Sequence, residues 1–181
     1  MASKSFCDMW NLTNSVVPNG LSTPFSTELF MAIFWEETLF QNIVQPNWRG
    51  RGFGQVETTT IPDVNRTFSK KFTESSILGD EKQSVEVAFL TLKMLNQRLT
   101  NRQKALEGYA GVWSKDANGK WVADVKKMGI VNGWNGCERL LNSLGLEDTL
   151  NQSDLDDFEI DTIKKALKTA KGNSNPDDAF P

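Results

Sequence analysis

The 181-residue chain contains no histidine. That absence removes Ser-His-Asp triads, Cys-His dyads and the usual zinc sites. Any acid–base chemistry must come from carboxylates, or from Lys, Tyr or Cys. Cysteine is nearly missing as well: Cys7 and Cys137 stand far apart and form neither a metal motif nor a CxxC pair. Two free, buried thiols are expected, with a bridge as the alternative. No apolar run approaches the length of a membrane span. The opening residues, MASKSFCDMWNLTNS, hold no apolar h-region, so no secretory signal is expected. There is no dense basic run, which argues against nucleic acid. Internal repeats and low-complexity tracts are also absent.

What is present is an ordinary globular composition, 39% hydrophobic and 24% charged, with a formal net charge of −3. The charge is uneven. Residues 61–145 carry 13 Lys/Arg against 9 Asp/Glu, and residues 146–181 carry 4 against 9. Two solvated faces explain this without any partner.

Helical patterns dominate. A first helix over 3–17 stops at the PNG of 18–20. Thr23 as N-cap and Pro24 at the first position open a second helix through 40, apolar all round from Leu29 to Trp35 and hence buried. Residues 41–60 lose that period and read as loop and short β structure. A short helix is expected within 62–78. Val85, Ala88, Phe89, Leu92, Leu95 and Leu99 form one helical stripe, and TNRQ (100–103) reads as a capping box for the next helix. DANGKW is a hairpin turn, and residues 135–145 form a helix ended by Gly145. In the last helix, 153–172, Ser153 caps, and Leu155, Phe158, Ile163 and Leu167 are the buried stripe. Residues 173–181 read as a frayed, flexible tail.

Two local features could carry chemistry. Glu37 ends a nearly all-apolar helix, where desolvation raises a carboxyl pKa toward that of a general acid. The plainer alternative is that Glu36 and Glu37 lie at a solvated helix mouth. The stretch RGRGFGQVE (49–57) is dense in glycine, so its backbone can turn tightly or be closely approached. It lacks the GK[ST] ending of a phosphate loop and has no strand–helix frame. Six tryptophans are many for this length; one or two at most are expected to line a site.

GRGFGQV (50–56) and IVNGWNGCERLL (130–141) resemble the two signatures of family 19 glycoside hydrolases, the chitinases and their phage endolysin relatives. EET (36–38) resembles the family's motif for the catalytic acid. ETLF (37–40), Gln55 and ALEGYAG (105–111) are similar to the pattern of lytic transglycosylases and goose-type lysozymes. Both resemblances imply a mainly α (α+β), lysozyme-like fold with a small β region near residues 47–60. They imply a catalytic domain over 1–150, a C-terminal amphipathic helix over 151–172 packed on it, and the tail beyond. This sequence departs from the family where Glu36 replaces its histidine, where VNGW replaces INGG, and where residues 38–54 contain no second acid.

The implied function is hydrolysis of a β-1,4-linked N-acetylhexosamine polymer. Peptidoglycan is the first substrate and chitin the second; lytic transglycosylation is an alternative. A non-catalytic sugar-binding or structural module is the alternative of another class. Glu37 would be the general acid and Glu57 the candidate base or water-holder. Gln55, Arg51, Tyr109, Asn132 and Trp134 would hold substrate, with Arg139 and Glu36 in support. The glycines would let backbone lie against the polysaccharide. No cofactor or metal is implied. The chain is expected to be a monomer, made in the cytoplasm and reaching the cell wall after lysis or by non-classical export. An inhibitor or immunity protein is a further partner that such a lysin allows.

Overall fold

In a computed structural model of the chain, residues 3–18 and 23–181 are described. Asn19 and Gly20 of the expected PNG stop lie outside them. The structure is mainly helical, with two small antiparallel sheets among the described residues.

Helix α1 (Phe6–Val16) starts at Ser5, whose hydroxyl accepts from Asp8 N. Helix α2 (Thr27–Thr38) is the centre of the fold. Its N-cap is Ser26, not Thr23; the Thr23 hydroxyl instead closes a turn on Phe25 N. Leu29 to Trp35 are buried without a break. They are covered by α1 on one side and by two later helices on others. An α-helix with no polar face is stable only when surrounded in this way.

After α2 the chain reverses through two consecutive left-handed residues, Leu39 (φ 53°) and Phe40 (φ 61°). Non-glycine residues take this conformation at a cost, so the surroundings must enforce it. Phe40 is buried against Trp35 and Phe6, and the Thr38 hydroxyl donates to Phe34 O. The chain then forms a hairpin in which β1 (Gly50–Arg51) pairs with β2 (Val56–Glu57), Gly50 opposite Glu57.

Helices α3 (Ile61–Phe68), α4 (Glu74–Gly79), α5 (Glu81–Leu99) and α6 (Arg102–Ala110) follow. Two short helices thus occupy 62–78, where one was expected. The turn before α6 is shared: Thr100 ends α5 in the left-handed region, and Asn101, not Thr100, caps α6 through Lys104 N. A second hairpin, β3 (Trp113–Lys115) with β4 (Trp121–Ala123), connects to α7 (Val125–Asn142). Helix α7 begins ten residues before the expected start because Asp124 caps it through Lys127 N.

Helix α8 (Asp157–Ala170) is capped by Asp156 in a reciprocal box with Glu159; Ser153 lies in a 3-10 turn upstream. Ile163, Ala166, Leu167 and Ala170 are its buried stripe, whereas Phe158 is 72% exposed. Gly133 and Gly136 of α7 let α8 approach. A Cβ on Gly133 would lie 2.9 Å from Thr169 O, and one on Gly136 2.9 Å from Thr169 Cγ2. Residues 173–181 are a packed segment, not a frayed end: Ala179 is buried and Phe180 stacks on Phe6 at 5.9 Å. Cys7 and Cys137 are both free and buried. No helix among the described residues is long and apolar enough to cross a membrane.

Candidate active site

The end of α2, the first hairpin, the end of α6 and the start of α7 enclose a polar cavity of about 330 Å³. Glu36, Glu37, Gln55, Glu57, Tyr109 and Lys127 line it, with Gln45, Asn47 and Arg49 from the turn that leads into β1. Glu37 and Glu57, 20 positions apart in sequence, are brought to one cavity because β2 returns beside the reversal that follows α2.

The acidity of this cavity is set by burial. Glu37 is pushed up to about 8, first by desolvation and then by the neighbouring Glu36 carboxyl; the Lys171 ammonium offsets part of this. Glu36 is raised for the same first reason and is likewise drawn back by Lys171. The Trp134 indole lies close enough to Glu36 to help it ionise, yet the geometry falls short of a hydrogen bond, so Glu36 Oε2 and Trp134 Nε1 are both buried without a partner. Two adjacent carboxyls in one desolvated site resist ionising together. At neutral pH Glu37 therefore keeps its proton.

Lys171 follows α8 and is remote in sequence from α2. Its Nζ donates to Glu36 O at 2.9 Å. Tyr109 donates its hydroxyl to Gly54 O at 2.7 Å. Burial and the two glutamates push its phenol up, so it remains a donor at any ordinary pH.

The glycine stretch is occupied by the protein itself. A Cβ on Gly50 would meet Gln55 Oε1 at 2.7 Å, one on Gly52 would meet Ser84 Oγ at 2.4 Å, and one on Gly54 would meet Tyr109 Oη at 2.4 Å. Gly52 also has φ +81°. These glycines fasten the hairpin to α5 and α6; they do not present bare backbone to a polymer. Gly54→Ala is expected to cost roughly 1–3 kcal/mol through overpacking against Tyr109 and Ala88. Urea unfolding midpoints measure it, and an unchanged midpoint would show that those neighbours yield freely.

Several expected site residues take other roles. Gln55 lines the cavity with φ 50°; its Nε2 donates to Ile43 O and Gly52 O and so clamps the loop, while its Oε1 is buried without a partner. Arg51 is buried; it donates to Trp48 O and Gly50 O and pairs with Glu74 at 3.3 Å, outside the cavity. Trp134 is fully buried, edge-on to Tyr109, and offers no surface to substrate. Asn132 and Arg139 are exposed on α7 and are not among the residues lining the cavity; the nearby ion pair is Arg102 with Glu138 at 2.6 Å. Glu57 is 53% exposed along its side chain and leans toward Arg49 at 3.8 Å.

Sequence reasoning missed Lys171 and Lys127. Nothing local marks either: one is a lysine after a helix, the other a lysine in a first turn. Only the packing of α8 on α7 and α2 brings Lys171 to the glutamates.

No protein-family model, no curated protein and no solved structure matches this chain. The chemistry of the cavity rests on its own geometry.

Proposed function

We propose that the chain is a glycoside hydrolase with a lysozyme-like architecture, acting on a β-1,4-linked N-acetylhexosamine polymer, with peptidoglycan first and chitin second. The observation that carries this reading is a desolvated carboxyl, Glu37, raised to about 8 by burial and by Glu36, at the end of a buried helix and lining a polar cavity that also holds the exposed Glu57. That pairing is what glycosidic cleavage needs. Glu37 gives its proton to the glycosidic oxygen as the C1–O bond breaks. Glu57 takes a proton from the water that attacks C1. Tyr109 and Glu36 fix the surroundings of the acid, and Lys171 keeps two buried carboxyls tolerable.

One observation favours a second reading. Glu57 is half exposed and already has Arg49 within ion-pair distance. A lytic transglycosylase needs no base of this kind, because a hydroxyl of the sugar itself attacks. Mass spectrometry of products from purified peptidoglycan separates the two. Ordinary reducing ends, with Glu57→Gln slower by roughly 10²-fold or more, are the expected outcome. Anhydro ends together with an unimpaired Glu57→Gln variant would replace hydrolysis by transglycosylation.

A further inference from the structure

The second hairpin displays two tryptophans that the core does not use. Trp113 is 46% exposed and Trp121 59%. In the ladder Trp113 pairs with Ala123, and Lys115 with Trp121. Alternation along each strand puts residues 113, 115, 121 and 123 on one face, so the two indoles are diagonal neighbours across the strands. Two exposed indoles side by side on one face form an apolar patch, not singly scattered surface residues.

That face closes a groove of about 440 Å³ with Leu99, Lys104, Glu107 and Gly108. The walls are mostly apolar, but one carboxylate is held in place: Trp113 Nε1 donates to Glu107 Oε2 at 2.8 Å. Trp121 is steadied from one side by Lys115, whose Nζ is 5.3 Å from the ring centroid. The groove and the carboxylate cavity both adjoin a third cavity. An intermediate cavity of about 250 Å³ shares Gly108 with the groove and shares Gln55, Glu57, Tyr109, Ala110 and Lys127 with the carboxylate site. Cavity, connector and tryptophan groove succeed one another past α6, which contributes residues to all three.

We propose that the Trp113–Trp121 face is a sugar-stacking subsite at the far end of this cleft, holding a pyranose ring of the polymer several units from the bond that Glu37 cleaves. The choice of ligand rests on the polysaccharide reading above. A pyranose has an apolar C–H face and a rim of hydroxyls. The indoles match the first, and Glu107 accepts from the second. The succession of adjoining cavities from the carboxylate site to the tryptophans selects a long polymer over an unrelated apolar partner.

The test uses the full chain with Glu37→Gln, so that oligomers bind without being cut. N-acetylglucosamine oligomers of two to six sugars are titrated calorimetrically, while the Trp113 and Trp121 indole N–H signals are followed by NMR. Affinity is expected to rise with length, with the Trp121 signal moving only for the longer oligomers. Trp121→Ala is expected to weaken the longest by roughly tenfold and to leave the shortest unchanged, and Trp121→Tyr to restore most of the loss. Equal affinities with and without Trp121, or unmoved indole signals, would overturn the subsite. So would self-association in sedimentation that Trp121→Ala abolishes, which would assign the face to a second copy of the chain. The two readings fail separately. Oligomers that bind through Trp121 to a wild-type chain that cleaves nothing would remove the catalytic reading alone. Cleavage indifferent to Trp121 would remove the subsite alone.

Discussion

Glu37→Gln is expected to lower turnover of peptidoglycan by roughly 10²–10⁴-fold, the usual contribution of a positioned general acid. The fold should survive, because glutamine is close to isosteric with the protonated carboxyl present at neutral pH. The variant should in fact be the more stable protein, in a pH-dependent way. Glu37 is raised from 4.5 to about 8 by burial and by Glu36. Between those two values the folded chain holds a proton that the unfolded chain gives up, so native stability falls as pH rises from about 4.5 to about 8. Glutamine has no proton to lose. Its advantage is therefore absent below about pH 4.5 and greatest above about pH 8, at most about 3 kcal/mol once partial solvation is allowed for. Thermal melts of both proteins at pH 5 and pH 9 read this directly. An equal difference at both pH values would show that Glu37 is not desolvated, and near wild-type turnover would move the acid to Glu36.

Removing residues 151–181 is expected to abolish cooperative folding, and activity with it. The sequence alone suggests a helix added to a finished domain, whose loss would cost stability more than chemistry. The structure gives it a larger share. Ile163, Ala166, Leu167, Ala170 and Ala179 are buried, and Phe180 lies on Phe6. Ser174 accepts from Trp35 Nε1, and Lys171 donates to Glu36 O. Truncation uncovers the apolar faces of α7 and α2 as well as its own. The loss is roughly 5–10 kcal/mol, comparable with the whole stability of a domain this size. Loss of near-ultraviolet dichroism and of a sigmoidal urea transition would confirm it. A truncated chain that unfolds cooperatively and still cleaves would show that α8 and Lys171 are dispensable.

The first expectation turns on Glu37, whose burial was legible because its signal is local. A run from Leu29 to Trp35 with no polar face has to be buried, and the first carboxylates after it have to be partly desolvated. The elements were legible for the same reason, since periodicity and turn residues act over a few positions. Cap positions slipped by one to three residues where several capping side chains compete, as at Thr23 against Ser26 and at Ser153 against Asp156, and the start of α7 slipped by ten, to follow the Asp124 cap. Residue roles at the site were harder. Arg51, Gln55 and Trp134 have the chemistry to hold a sugar, yet the fold turns each inward, onto loop carbonyls or into the core. Whether a polar side chain faces a cavity or a backbone carbonyl depends on tertiary register, which spacing does not report. Lys171 was invisible because its partner is brought to it only by helix packing. Phe158 was misassigned because the periodic stripe of α8 leaves one large apolar residue on its solvent side.

The most direct test of the central claim is the pH dependence of sacculus solubilisation by the wild-type chain, with Glu37→Gln as the baseline. A general acid works only while it holds its proton, so activity belongs below its pKa and is lost above it. With Glu37 raised to about 8 by its desolvated, Glu36-facing position, the rate should hold through neutrality and then fall about tenfold per pH unit above about pH 8. The Glu37→Gln baseline should stay low at every pH. A rate that persists unchanged to pH 10, or one that is already lost above pH 5, would contradict Glu37 as a buried general acid.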